Sequence, residues 1–319
     1  MSEFNCLKED LHYDYKYIKD LNCGENLHQK AGLYDASKKA EYEILSEDDL
    51  TYINIININA ALNCVSEFFD VNSVVFVKNG TPFAAALGKN IYDAYKKACD
   101  CDPVSAFSVN AAFSTTVDLA TAQHINSLQA AVVAAPDFEP QAVKLLLKNA
   151  FTKIIKLKTP LKEYKQLLYE EIKTTPFGTL IQTPDKSELD KSMFKVVTTN
   201  KPTVEQVEDS VFAWKVAKHA RSRCAVITKD FKTTAISQGQ VNSVNAIEQA
   251  LDFACDGSKD AVAAFDEPVT NLECIYAAAQ GRISLIIQPG GTAKDKDIIK
   301  AANKYNIAMI TTGITNIRI

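Results

Sequence analysis

The sequence has little surplus charge of either sign. Its 35 Lys and Arg residues are set against 39 Asp and Glu, for a net charge of −4. A broad grip on nucleic acid, which needs a clustered excess of cations, is therefore not expected. The chain has no apolar run near the roughly 20 residues that span a bilayer. Its opening, Met1-Ser2-Glu3-Phe4-Asn5, lacks the basic-then-apolar pattern of a secretory leader. A soluble, cytoplasmic protein with no membrane contact is expected. The eight cysteines, at 6, 23, 64, 99, 101, 224, 255 and 274, form no Cys-x-x-Cys pair and no zinc spacing. They read as scattered thiols in a reducing compartment, and no metal is expected. The GxGxxG fingerprint, the Walker loop, HExxH spacing and the zinc-deaminase signature are all missing, which removes the usual dinucleotide, P-loop and zinc readings.

What is present is a large potential core. Of 319 residues, 47% are hydrophobic and 23% charged, enough for two domains or two subdomains sharing a core. Short β-branched runs predict strands at 73–77, 130–134, 154–157, 224–228, 234–236, 261–265, 283–287 and 307–310. Apolar residues at helical spacing predict helices at 91–101, 119–128, 141–148, 244–255, 272–279 and 295–305. Thr203 caps another helix reaching His219, helped by Glu205 and Gln206. The polar, Pro- and Gly-bearing stretch 174–202 reads as a connector with one strand at 179–182. The expected class is α/β, with an N-terminal segment 1–50, a first α/β subdomain 51–190 and a second 191–319. Mostly parallel sheets covered by helices are expected, and the two blocks look like a diverged duplication.

Several features carry possible chemistry. Gln288-Pro289-Gly290-Gly291 lies between a strand and a helix, where free N–H groups suit an anion, although a plain glycine turn has the same pattern. Lys78 and Asp266 end core strands, the usual position of ligand sites in α/β folds. Lys215, Lys218, His219, Arg221, Arg223 and Lys229 form a basic cluster, readable as a solvated helix face with its following loop or as a pocket for phosphate or a polyglutamylated ligand.

Taken in order, these segments resemble one family. Gly24-Glu25-Asn26-Leu27-His28-Gln29-Lys30 with Tyr34 is similar to its YGENPHQ box, and Lys78-Asn79-Gly80-Thr81-Pro82-Phe83 to KHTNPCG. Asp102-Pro103-Val104-Ser105-Ala106-Phe107 matches DPVSAF, and Ala135-Pro136-Asp137-Phe138 matches APDF. Residues 212–218 resemble FAWRVAK, Gly239-Gln240 the GQ turn, Gln288–Gly291 QPGG, and Thr312-Gly313 the C-terminal TG. The family is the formyltransferase part of the AICAR transformylase/IMP cyclohydrolase bienzyme. The cyclohydrolase part is not seen in this sequence. The resemblance implies two cytidine-deaminase-like α/β/α subdomains without zinc, a homodimer with sites at its interface, 10-formyltetrahydrofolate as formyl donor and AICAR as acceptor.

That reaction needs a base for a weakly nucleophilic amine, donors for an oxyanion, and cations for a phosphate. The departures fall on these functions. Asn79 stands where the family has its catalytic His, and Arg223 where it has a catalytic Asn. Asn22-Cys23, before Gly24, replace the Arg-Tyr that holds the nucleotide. Ser108 replaces a Gly, Ala131 an acidic residue, Ser243 the Arg after the Gln240 turn, and Thr315 the Arg of the C-terminal box. Lys78 and Asp266 remain. The pattern predicts a kept fold with weak or lost formyl transfer. Two alternatives are a non-catalytic binding or regulatory paralogue, pairing with an active relative as a heterodimer, and an enzyme whose substrate differs.

Overall fold

The computed structural model describes residues 11–35, 39–47, 49–167 and 170–319. The opening residues on which the leader reading rests, and Cys6, lie outside them. In chain order come β1 (Lys16–Asp20), β2 (Gly32–Asp35), β3 (Tyr42–Ile44), α1 (Tyr52–Val65), β4 (Ser73–Lys78), β5 (Thr81–Leu87) and α2 (Ile91–Cys99). Next are β6 (Asn110–Phe113), α3 (Leu119–Ser127), β7 (Val132–Ala135), α4 (Pro140–Leu146), β8 (Lys153–Leu157), α5 (Leu161–Tyr164), β9 (Glu171–Thr175) and β10 (Gly178–Gln182). The chain ends with β11 (Lys195–Val196), α6 (Val204–Ala217), β12 (Ala225–Lys229), β13 (Lys232–Ser237), α7 (Ser243–Ala254), β14 (Val262–Phe265), α8 (Leu272–Gln280), β15 (Leu285–Gln288), α9 (Asp295–Lys304) and β16 (Ala308–Thr311).

Twelve of these strands form one sheet, in the order β11-β16-β15-β14-β12-β13-β5-β4-β6-β7-β8-β3. Read outward from the β13–β5 junction, both directions give the same series: hairpin, two parallel crossovers, then an antiparallel edge strand. The duplication suspected from the sequence is therefore a duplication of topology. The predicted parallel pairing holds within β6–β7–β8 and β14–β15–β16. The sheet as a whole is mixed, because the two-residue turns of β4–β5 and β12–β13 can join only antiparallel neighbours.

The alternation along β4 sets the layers. Val75 and Val77 face the core under α1, and Val74 and Phe76 face the core under α2, α3 and α4. In the second half Val226 shares the α1 side with α6, while Ala225 and Ile227 face α7, α8 and α9. One core on the α1/α6 face thus runs across both halves, and each half keeps its own core on the opposite face.

The sequence did not announce α1. Residues 53–59 are only Ile and Asn, in an irregular mixture that masks a helical period, yet Thr51 forms a capping box with Asn54. Strand β5 is also unannounced: it is rich in Ala, a poor strand former, and carries Pro82 next to a bulge. The short strand β6 and the edge strands β3 and β11 are likewise too brief to show a period. Three strands fall in or overlap the connector, β9, β10 and the short edge strand β11, instead of one.

Candidate functional site

Strands β5 and β13 meet antiparallel, through the pair Lys232 and Ala86. The carboxyl ends of β14, β15 and β16 therefore lie on the same sheet edge as the β4–β5 turn. Ligand crevices in open α/β sheets form outside such strand ends. This edge collects Lys78, Asn79, Ser108, Arg223, Gln240, Ser243, Asp266 and Thr315.

Asp266 directly follows β14 and is buried. One carboxylate oxygen accepts the Cys224 backbone N–H at 2.9 Å, and the other accepts the Ser222 hydroxyl. Its backbone carbonyl accepts the Asn316 N–H at 3.1 Å, and Ser222 Oγ accepts the Arg318 N–H at 2.9 Å. Asp266 thus ties the entry of β12 to the C-terminal tail that carries exposed Thr315. Arg223 Nε meets Glu267 Oε2 at 2.7 Å. Its backbone exchanges hydrogen bonds with Gln240 at 3.2 and 3.1 Å. The Gln240 side-chain amide donates to Gln249 at 2.7 Å. Ser243 opens α7, whose cap is Asn242.

The first half of the sheet reaches this edge through its hairpin. Asn79 and Gly80 both have positive φ, +54° and +73°, as a type I′ turn requires, and Asn-Gly is the pair that favours it. The Gly80 N–H donates to Asn57 Oδ1 at 2.7 Å. Lys78 Nζ donates to the Phe107 carbonyl at 2.9 Å, beside Ser108, which itself has φ +54°. Gln238 joins the halves: its Nε2 donates to the Pro82 carbonyl at 2.9 Å, and its Oε1 accepts the Thr81 hydroxyl and the Arg221 N–H. The sequence alone did not single out Gln238, and Glu267 stood out only as part of the divergent segment Phe265-Asp266-Glu267-Pro268-Val269-Thr270-Asn271, without a role of its own.

Two sequence expectations change. The N–H groups of Gly291 and Thr292 donate to the Asp295 carboxylate at 2.8 and 3.1 Å, so the glycine turn already holds an anion of its own. Burial works to raise the Asp295 pKa, but the Thr292 hydroxyl and these N–H donors outweigh it and hold the carboxyl below its usual range. The basic cluster is also divided. Lys229 lies on the opposite edge and donates to the Lys259 carbonyl. Lys218 and His219 are buried, not solvated. Both meet Glu67 Oε1 at 3.2 Å, Lys165 meets Glu67 Oε2 at 2.6 Å, and Lys215 donates to the Glu67 backbone carbonyl at 2.8 Å. Burial opposes the Glu67 charge, yet His219, Lys218 and Lys165 hold its carboxyl well below the usual range. Burial lowers the His219 pKa more than the hydrogen bond and charge of Glu67 raise it.

Asn22, Cys23 and Gly24 lie elsewhere, in the turn between β1 and β2. That turn is closed by Cys23 N–H to Leu21 carbonyl and Gly24 N–H to Gln29 carbonyl bonds of 2.7 and 2.9 Å. Near it, an apolar cavity of about 910 Å³ is lined by Leu33, Tyr34, Ile58, Leu62, Leu157 and Tyr164, and none of the expected site residues lines it. Among the described residues, no group of three or more His, Cys, Asp or Glu is placed to hold a metal ion, and no helix is long and apolar enough to cross a membrane.

A family profile described as "AICARFT/IMPCHase bienzyme" matches residues 2–252. The chain is 39% identical over 308 residues to the "Bifunctional purine biosynthesis protein PurH" of Caldicellulosiruptor saccharolyticus, covering 94% of this chain and 59% of the relative. The protein of the same name from Thermoanaerobacter sp. is 39% identical over 315 residues, covering 97% and 61%. That of Brachyspira hyodysenteriae is 36% identical over 329 residues, covering 99% and 63%. The chain thus spans about three fifths of the length of these relatives.

Proposed function

The chain belongs to the AICARFT/IMPCHase bienzyme family, and we propose that it is a transformylase-type member of purine biosynthesis whose formyl transfer is weak or lost. The observation that carries this reading is the pairing state of the two catalytic positions. Asn79 sits in a hairpin turn and offers an amide, which has no basic lone pair near neutral pH. Arg223 is engaged by Glu267. Lys78 can donate to a developing oxyanion but, as an ammonium, cannot also take the amine proton. Loss of a general base costs about 10²–10⁴ in rate.

The residues at this sheet edge suit the family ligands only in part. Asp266 and Gln240 keep their places, while Ser243 and Thr315 offer hydroxyls where a phosphate calls for cations. The test is a formyl-transfer assay with AICAR and 10-formyltetrahydrofolate across protein concentrations. Turnover below a hundredth of an ordinary relative's is expected, and ordinary turnover would overturn the reading.

The reading includes a homodimer. Hairpins β1–β2 and β9–β10 are two-stranded sheets, and such ribbons are marginal alone. They expose Tyr17, Tyr34, Leu180 and Phe177, a surface that a second copy would cover. Light scattering at micromolar concentration should give twice the chain mass; a monomer there would remove this part of the proposal.

A further inference from the structure

We infer that Glu267 is a specificity-determining residue at the strand-end edge of the second half: it occupies the Arg223 guanidinium and so keeps it from a ligand's oxyanion. This rests on the reading of that sheet edge as the ligand site. The Arg223 side chain is 43% exposed and that of Glu267 18%, with Nε and Oε2 at 2.7 Å. The guanidinium also donates from Nη1 to the Val241 carbonyl at 3.4 Å. Its fork can take a phosphate or carboxylate in two parallel bonds. With Glu267 on one arm, an incoming anion meets a guanidinium already neutralised and a carboxylate that repels it.

The duplicated topology supplies an internal control. Asn72 and Thr115 occupy in the first half the positions of Arg223 and Glu267 in the second. There the Thr115 hydroxyl donates to Asn72 Oδ1 at 3.1 Å. The side chains at these two positions meet in both halves, so the fold aims them at each other whatever they are. The fold does not require them to be charged, because a neutral pair performs the same closure in the first half. The charge is thus free to serve selection, and it lies at the strand ends where a ligand would enter.

The test is titration of the full chain with inorganic phosphate, and separately with acetate, followed by NMR. Glu267→Gln keeps the shape and removes the charge. Glu267→Thr introduces the residue that stands at this position in the first half and serves as the second variant should the amide variant fold poorly. Both variants are expected to bind phosphate roughly 10- to 100-fold tighter than the wild type, the range of one charge-assisted hydrogen bond. The double variant Arg223→Gln/Glu267→Gln should lose the gain. A gain with acetate alone would assign a carboxylate ligand to the same guanidinium. Unchanged affinity for both anions in both variants, or a gain that survives loss of Arg223, would overturn the inference. Anion affinity is read without turnover, so its outcome is separate from that of the formyl-transfer assay.

Discussion

In the first half of the sheet, Ser114 follows β6, and its hydroxyl closes onto the Val71 carbonyl at 2.6 Å while accepting the Ser73 N–H at 2.8 Å. In the second half, Asp266 follows β14, accepts the equivalent N–H from Cys224 at 2.9 Å, and brings a carboxylate to the same geometry. The segments align as Ala111-Ala112-Phe113-Ser114 and Ala263-Ala264-Phe265-Asp266. Lys78 and Lys229 likewise end β4 and β12, and each donates to the carbonyl ahead of the next strand. Shared features of this kind belong to the scaffold. Where the halves differ, a neutral side chain in one shows that the charge in the other is not a folding requirement. By that criterion Lys78 loses weight as a functional residue, while Asp266, Arg223 and Glu267 gain it.

The largest expected effect concerns the hairpin turns. Asn79 and its counterpart Asp230 both have positive φ, as do Gly80 and Phe231, so both hairpins keep one turn geometry, which Asn-Gly favours and Phe231 does not. Asn79→His should leave formyl transfer at least about 100-fold below an ordinary relative, because Arg223, Ser243 and Thr315 still differ from the family's set. Full rescue in a single-turnover assay would show that only the base had been lost.

Next comes the joint between the halves. Glu67, after α1, and His219, after α6, hold equivalent positions and hydrogen-bond to each other. Glu67→Gln leaves Lys165 and Lys218 facing an amide. Breaking a buried charge cluster on one side costs about 3–5 kcal/mol, to be read as a lowered denaturant midpoint. The loss should exceed that of any exposed pair, such as Lys39 with Asp35.

The smallest effect is the most symmetrical. Asn57 accepts the Gly80 N–H at 2.7 Å, and Asp209, its counterpart, accepts the Phe231 N–H at 3.1 Å. Burial pushes the Asp209 carboxyl up to about 6, against the hydrogen bonds that lower it. Between about pH 4 and 6 the folded state holds this proton and the unfolded state does not. Stability therefore falls as pH rises through that window. Asp209→Asn should add roughly 1–3 kcal/mol at pH 7.5 and little at pH 4. Asn57→Asp should cost a similar amount at pH 7.5 only. Thermal unfolding at both pH values checks the pair, and equal shifts at the two pH values would remove burial of the charge as the cause.

Much of the fold was readable because its period was. Helix α2 buries Ile91, Ala94, Tyr95 and Ala98 at the predicted spacing, and α6 has the predicted Thr203 cap. Helix α1 and β5 escaped because burial from the α1 side and packing at the sheet centre override weak local propensity. The candidate site was half legible. Its strand-end members, Lys78 and Asp266, follow from pattern. Their partners, Phe107, Ser222, Glu267 and Gln238, could not be paired with them, since hydrogen-bond partners far apart in sequence leave no spacing to read.

By itself, the sequence determined the strands and helices that carry a clear apolar period, a cap or the Asn79-Gly80 turn, because those depend on neighbours within a few residues. It also determined the residue types that stand at positions 79 and 223. Only the tertiary structure decided that two blocks share one sheet, that Lys218 and His219 are buried around Glu67, and that Arg223 is held by Glu267. Those outcomes depend on which distant strands meet at β5 and β13, and on the low-dielectric surroundings that meeting creates.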